Sequence, residues 1–462
     1  MDTNIFREYD IRGIVGEQLT DETVATVTRA IAEFFVQNGA RRIAVGYDAR
    51  ESSPRFYEML IDALLAAGRD VIRIGMVPTP VLYHTVHTKE VDGGVMVTGS
   101  HNPPHHNGFK VALGTATLHG EQIQAIKGIA LSEPGAIATG PTDAGSVRKI
   151  DVLPDYISDI ASKLSFGSRK LKAVIDGGNG MGGVTAVPVY EKLGVELVRL
   201  YTEPDSSFPN HHPDPTVEEN LQDLIAAVHK HNADVGITFD GDGDRIGVVD
   251  ETGRIIWGDE LMILLSREIL NDNPGATIIA EVKCSQTLFD DIQRRGGTPI
   301  MERAGHSIIK AAMKRTGAKL AGEMSGHIFF ADRFYGFDDA TYAGARLLEI
   351  LSKTDKPLSQ LFDGLPTTFS TPELRIDCGD AIKFDVVKHV ADHFTKTHQV
   401  ITIDGARIVF DLGWGLVRAS NTQAMLVLRF EADTNENLEA IRSEVERVVA
   451  AAITEISQAR HS

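Results

Sequence analysis

Short apolar runs alternate along the chain with stretches of helical period, and three times the alternation takes the same form. Residues 42–48 read as a strand, 55–67 as a helix closed by Gly68, and 71–74 as a second strand. The order returns at 171–176, 186–193 with Gly194, and 195–198, and again at 277–280, 287–295 with Gly296 and Gly297, and 299–301. Each is a strand–helix–strand unit, which implies parallel or mixed sheets with helices packed on them. The remainder has another rhythm. Residues 407–412, 416–418 and 425–431 read as strands, and 435–456 as one long amphipathic helix. The pattern predicts an α/β protein of three topologically related domains with mixed sheets, followed by a smaller C-terminal α+β domain. Divisions are expected at 1–145, 146–250, 251–364 and 365–462. They fall at the Gly-, Pro- and Ala-rich 132–142, the turn at 250–253 ahead of a helix starting near Asp259, and Gly364-Leu365-Pro366 after the helical 347–352.

Length agrees with several domains, because 462 residues exceed one core at roughly 150 residues per domain. A hydrophobic share of 42% with 24% charged residues is that of a soluble globular chain. No apolar run is long enough to predict a membrane span. The opening MDTNIFREYDIRG lacks the apolar core of a secretory signal. Cys284 and Cys378 are far apart and form no CxxC, so a reduced, cytoplasmic setting is expected. The net charge of −18 argues against nucleic acid as a partner. It leaves room for a small anion, since a few Lys, Arg and His in one cleft outweigh the distant field.

Two stretches carry the chemistry. Thr98-Gly99-Ser100-His101-Asn102-Pro103 puts a hydroxyl in a loop bracketed by Gly and Pro, just after the strand-like 94–97. Ser100 alone reads as a turn residue. A Ser100–His101 hydrolase pair is not expected, because adjacent side chains in an extended loop point apart and no G-x-S-x-G elbow is present. Asp240-Gly241-Asp242-Gly243-Asp244-Arg245 follows the apolar 235–239. Carboxylates so close repel by about 4 kcal/mol per pair at about 4 Å and an effective dielectric of about 20, so they ask for a cation. Hard oxygen ligands favour Mg2+, which keeps open positions for a phosphate oxygen. Two other readings stand beside it, a metal-free acidic turn and a calcium loop ending at Glu251. The latter lacks Gly at its sixth position, where Arg245 stands, and has strand-like flanks.

Other motifs divide between function and plain structure. Gly178-x-Gly180-x-x-Gly183 follows a strand like a dinucleotide fingerprint, but 198–200 ends in no acidic residue and Pro188 interrupts the helix, so a tight strand–helix turn is expected. His211-His212-x-Asp214 could be a metal pair, yet Pro209, Pro213 and Pro215 point to a rigid connector. Gly322-Glu323-Met324-Ser325-Gly326-His327 reads as a polar turn or as a loop that grips neighbouring sugar hydroxyls. Arg418-Ala419-Ser420-Asn421-Thr422 reads as a surface turn or a phosphate cup.

Together, TGSHNP at 98–103 with Asn107-Gly108-Phe109-Lys110, DGDGDR at 240–245, GEMSGH at 322–327 and RASNT at 418–422 resemble the α-D-phosphohexomutase superfamily, most closely its bacterial phosphomannomutase/phosphoglucomutase branch. The resemblance runs over essentially the whole chain and implies four domains around a central cleft. By position, Ser100 resembles the phosphoserine that donates and recovers the phosphoryl group. Asp240, Asp242 and Asp244 resemble the ligands of one Mg2+ ion, with a phosphoserine oxygen completing the shell. Arg12, His101, Lys110 and Arg245 resemble the basic groups around the transferring phosphoryl, with Tyr9 beside them. Glu323 and Ser325 resemble the residues that hold sugar O3 and O4, and Lys283, His306 and His327 cleft residues, His327 being a candidate proton carrier. Arg418, Ser420, Asn421 and Thr422 resemble the clamp for the non-reacting phosphate. The implied reaction is hexose 1-phosphate to hexose 6-phosphate through a hexose 1,6-bisphosphate that reorients in the cleft, in a monomer or homodimer. A phosphoglucosamine mutase and a non-catalytic phosphosugar-binding protein are the alternatives. Met324 favours the phosphomannomutase/phosphoglucomutase branch.

Overall fold

The computed structural model describes residues 1–132, 145–420 and 424–461. Its first sheet runs in the order Ile11–Ile14, His106–Leu113, Gly93–Val97, Arg42–Tyr47, Asp70–Met76, Val147–Lys149. The last four strands are parallel, and His106–Leu113 runs against Gly93–Val97. The second sheet repeats the core of this order as Ile246–Asp250, Val235–Phe239, Lys172–Asp176, Glu196–Leu200. The third repeats it as Ile328–Phe330, Leu320–Gly322, Thr277–Glu281, Thr298–Glu302. In both, one antiparallel pair borders a parallel set.

The antiparallel hairpin therefore recurs three times, and its connecting loop carries a motif each time: 98–105, 240–245 and 323–327. Position follows from pattern here. Every residue of Gly93–Val97 and Val235–Phe239 is buried, as both faces of a helix-covered sheet require. The strands are thus fixed, and the polar loops at their ends are thrust out together. One continuous core runs from Ala44 to Leu358 through all three sheets, which makes them a single scaffold.

The fourth domain has its own core and an antiparallel sheet. Ala406–Phe410, Gly413–Ala419 and Met425–Ala432 match the expected strands, and Asn435–His461 the expected helix. The helix Lys383–Phe394 and the strands Leu374–Asp377 and Gln399–Ile401 are additions to the sequence reading. This domain docks on the third through buried cations. Arg407 donates to the carbonyls of Val282 and Cys284 at 2.5 and 2.9 Å, and Arg429 pairs with Asp259 at 3.0 Å.

Two local expectations change. The helix Gly182–Lys192 runs through Pro188 instead of stopping there, because Ala186, Val187, Val189 and Tyr190 are buried and packing outweighs one lost N–H. Val147–Lys149 pairs with Asp70–Met76, so the first sheet extends past residue 145. Residues 133–142 of the expected linker lie outside the described residues.

Candidate active site

The loop holding Ser100 is built from below by Asp48 and Arg50. Asp48 directly follows the strand Arg42–Tyr47 and accepts from Thr98 Oγ1 at 2.8 Å and from Gly99 N at 3.1 Å. Arg50, 1% exposed, donates to the carbonyls of Ser100, Asn102 and Pro103 at 2.6 Å each and of His106 at 3.0 Å. So clamped, Ser100 takes φ = +49°, a left-handed conformation that costs a side-chain-bearing residue about 1–2 kcal/mol. Its Oγ is aimed at Asp240 Oδ2, to which it donates at 2.9 Å. His101 Nδ1 lies 3.2 Å from the same Oγ. The two neighbours therefore meet, where an extended loop would have parted them; the left-handed turn at Ser100 is the reason. Burial, then Arg245 and Arg12, push the His101 imidazole well below its ordinary value.

Asp240, Asp242 and Asp244 are fully buried and converge. Gly243 has φ = +76°, and a Cβ at Gly241 would lie 2.3 Å from the Ser100 carbonyl, so glycine at both places lets the loop curl against Ser100. Asp240 Oδ1 accepts from the backbone N–H groups of Asp244 and Arg245 at 3.0 and 3.1 Å. Lys110 Nζ donates to Asp242 at 2.8 Å and Asp244 at 2.5 Å, and Thr79 donates to Asp242 at 2.5 Å. Burial and the neighbouring carboxylates push Asp240 up. Against the push of burial, Lys110 and Thr79 hold Asp242 below the carboxylate range.

One lysine does not satisfy three carboxylates. Asp242 Oδ1 and Asp244 Oδ1 are buried without a hydrogen-bond partner. Orphaned acceptors in a trio of hard oxygen donors fit a divalent cation. Strands flank the loop on both sides and Glu251 accepts from Ser359, which excludes the calcium-loop reading. Lys110 thus stands against the carboxylates in this arrangement, between the acidic loop and the sheet that carries Ser100.

The third hairpin closes over these two. Arg245 and His327 form an antiparallel bridge, and Arg245 Nε donates to His327 Nε2 at 2.9 Å. Glu323 accepts from Gly305 N at 2.6 Å and lies 3.9 Å from His327. Ser325 is half-buried in the same loop. His306 stacks on His327 at 5.6 Å, and Tyr9 meets His306 edge-on while donating to the Ala304 carbonyl at 2.8 Å. Arg12 donates to Asn102 at 3.1 Å and to Asp10 at 2.5 Å, and its Nε is buried without a partner. From the fourth domain, Arg418 pairs with Asp404 at 3.0 Å, and the Ser420 carbonyl accepts from Lys383 at 2.7 Å. Lys283 pairs with Glu373 at 3.1 Å across the same domain boundary. Asn421 and Thr422 lie outside the described residues.

The remaining motifs are structural. A Cβ at Gly180 would lie 2.9 Å from Gly241 Cα, and one at Gly183 2.4 Å from the Thr202 carbonyl, so these fingerprint glycines let the strand–helix turn pack tightly, Gly180 against the acidic loop. His211 meets Asp176 at 3.0 Å and His212 the His101 carbonyl at 2.5 Å, tying the connector to both neighbouring domains. Asp48, Arg50, Lys310 and Asp338 are site groups that sequence reasoning missed. A charged Asp-x-Arg pair directly after a buried strand was the available signal for the first two.

Comparison with known proteins finds a family match along most of the chain. Family models for phosphoglucomutase/phosphomannomutase α/β/α domains I, II and III match residues 3–134, 154–253 and 257–369, and the C-terminal domain model matches 373–448. A phosphomannomutase/phosphoglucomutase of Pseudomonas aeruginosa is 48% identical over 441 residues, covering 95% of this chain and 94% of its own. A phosphoglucomutase of Neisseria gonorrhoeae is 47% identical over 449 residues, covering 96% of both. The crystal structure of a phosphoglucomutase/phosphomannomutase family protein from Burkholderia thailandensis superposes with a TM-score of 0.91 at 42% identity, covering 98% of both chains.

Proposed function

The chain belongs to the phosphoglucomutase/phosphomannomutase family of the α-D-phosphohexomutase superfamily, and from that membership we propose that it reversibly converts hexose 1-phosphates and hexose 6-phosphates of glucose and mannose. The observation that carries the reading is the meeting of Ser100 Oγ with Asp240 at 2.9 Å, beside two buried carboxylate oxygens that lack a partner.

In this reading Ser100 carries a phosphoryl group, gives it to the free hydroxyl of the bound hexose phosphate, and takes the other phosphate back after the bisphosphate has turned. Asp240, Asp242 and Asp244 would hold Mg2+, which supplies positive charge to the phosphoryl oxygens. Arg12, Arg245 and His101 line the loop and spread the remaining charge in the transition state. Glu323 and Ser325 receive the middle of the sugar ring, which both orientations present alike. Arg418 and Ser420, with Asn421 and Thr422, receive the phosphate that is not reacting, whichever it is. Lys283 and His306 line the same space, and His327 carries the hydroxyl proton. The docked fourth domain excludes water that would otherwise hydrolyse the phosphoserine.

A coupled assay with glucose, mannose and glucosamine 1-phosphates tests the proposal. Turnover of the first two, with glucosamine phosphate poor, supports it. Preference for glucosamine phosphate would favour a phosphoglucosamine mutase, and binding without turnover a sensor.

A further inference from the structure

Asp338 is fully buried, and no motif drew attention to it. It bridges to Phe329 and stands one residue ahead of Asp339, which caps the helix Ala340–Ser352 by accepting from Tyr342 N at 2.8 Å. Its two oxygens have separate duties. Oδ1 accepts from Lys310 Nζ at 2.8 Å, while Oδ2 and His327 Nδ1, each buried with no other hydrogen-bond partner, face one another at an ion-pair distance of 3.2 Å, with His306 Nδ1 3.5 Å from Oδ2. His306 and Lys310 are one turn apart on the helix His306–Thr316, so both reach this carboxylate. Burial pushes the carboxyl up, but Lys310, His327 and His306 together hold it well below the usual range.

The opposite nitrogen of His327 is fixed independently. Arg245 Nε always carries its hydrogen, and it donates to His327 Nε2 at 2.9 Å. Nε2 therefore holds the ring's lone pair, and the hydrogen sits on Nδ1, which is nearest to Asp338 Oδ2 at 3.2 Å with Asp244 Oδ1 farther off at 3.7 Å. Asp244, His327 and Asp338 are close enough to hold a cation, but a protonated Nδ1 is a donor and not a ligand, so the trio reads as an orienting group.

We propose that Asp338 is a positioning residue, which holds the Nδ1 proton of His327 and so keeps the Nε2 lone pair available to the reacting sugar hydroxyl. The proposal rests on the reading of His327 as proton carrier. When a hydroxyl replaces Arg245 at Nε2, its O–H bond breaks and an Nε2–H bond forms. The hydroxyl oxygen bonds to phosphorus as the Ser100 Oγ–P bond breaks, and Asp338 stabilises the imidazolium without taking its proton. The Ser100 oxygen keeps its electron pair and attacks the other phosphate in the second half, where the departing sugar oxygen recovers the proton from Nε2.

Lys310 makes the test specific. In Asp338→Asn, the amide oxygen must face Lys310, which can only donate, so the amide NH2 faces His327 Nδ1. The ring must then accept there, and its proton moves to Nε2, against Arg245. We expect kcat to fall about hundredfold or more with KM changed less than about threefold. Asp338→Asn/Lys310→Met frees the amide to turn, and should recover about tenfold or more of the lost kcat. In the unmutated enzyme, isotope-labelled histidine and two-bond nitrogen–proton correlations should show the His327 proton on Nδ1. This measurement stands even if the variants fold poorly. A proton on Nε2 there, or a kcat within about threefold in Asp338→Asn, overturns the proposal. An unmutated enzyme with the Nδ1 tautomer but no hexose-phosphate turnover would instead refute the functional reading while supporting Asp338 as the orienting group.

Discussion

Arg50 Nη2 lies 2.6 Å from the carbonyl oxygen of Ser100, at the underside of the turn that aims the serine hydroxyl. The same guanidinium serves three further carbonyls, and a Cβ at Gly99 would lie 2.5 Å from it, so loop and arginine fit only as a pair. Arg50→Lys keeps the charge and loses the planar fork. It should destabilise the protein by about 2–4 kcal/mol, because buried carbonyls are left unpaired. Turnover should fall at least about tenfold with the left-handed turn no longer held. Thermal unfolding and steady-state kinetics check both, and wild-type values would remove Arg50 from the account.

Chelation addresses the orphaned oxygens of Asp242 and Asp244. Removing divalent metal should abolish turnover and lower Tm. Readdition at about a hundred times Kd should return about 2.7 kcal/mol of stability. Melting curves with and without magnesium decide it; identical curves would mean that Lys110 alone suffices for the three carboxylates.

The contact between the third and fourth domains should respond to pH. Lys283 holds the Glu373 carboxyl down to about 2, against the opposing effect of burial. A carboxyl depressed in the folded state stabilises above its unfolded value, near 4.5, and loses that contribution as pH falls through about 2. Wild type should therefore melt higher than Glu373→Gln at pH 6, and the gap should narrow by pH 3. A constant gap would show that the pair contributes through packing alone.

Arg418 tests the fourth domain's part in binding. Arg418→Ala removes a buried cation that pairs with Asp404 at 3.0 Å. A lost charged hydrogen bond of about 2 kcal/mol corresponds to roughly a thirtyfold rise in KM, with kcat less affected. An unchanged KM would take this residue out of the phosphate clamp.

Much of this architecture was legible in the chain because its signals are local. The three strand–helix–strand units follow from period, and Ser100 and the Asp240–Asp242–Asp244 trio from compact loops at strand ends. What escaped is long-range. Arg50 acts on Ser100 from 50 positions away, and Asp338 belongs to no motif until folding sets it beside His327. The pairing of Ser100 with His101 was misjudged for a related reason: the left-handed backbone that brings them together is imposed by Arg50 and Asp48, not by the loop's own residues. Pro188 argues for a helix break on local grounds, and buried neighbours overrule it.

The central claim is that Ser100 itself carries the phosphoryl group that is exchanged. Enzyme treated with phosphate-labelled hexose 1,6-bisphosphate, then digested and mapped, measures this directly. The account predicts label on Ser100, transferred to sugar when unlabelled hexose 1-phosphate is added, and Ser100→Ala protein that takes up no label and turns over orders of magnitude more slowly. Full turnover by that variant, or label found on another residue, would contradict it.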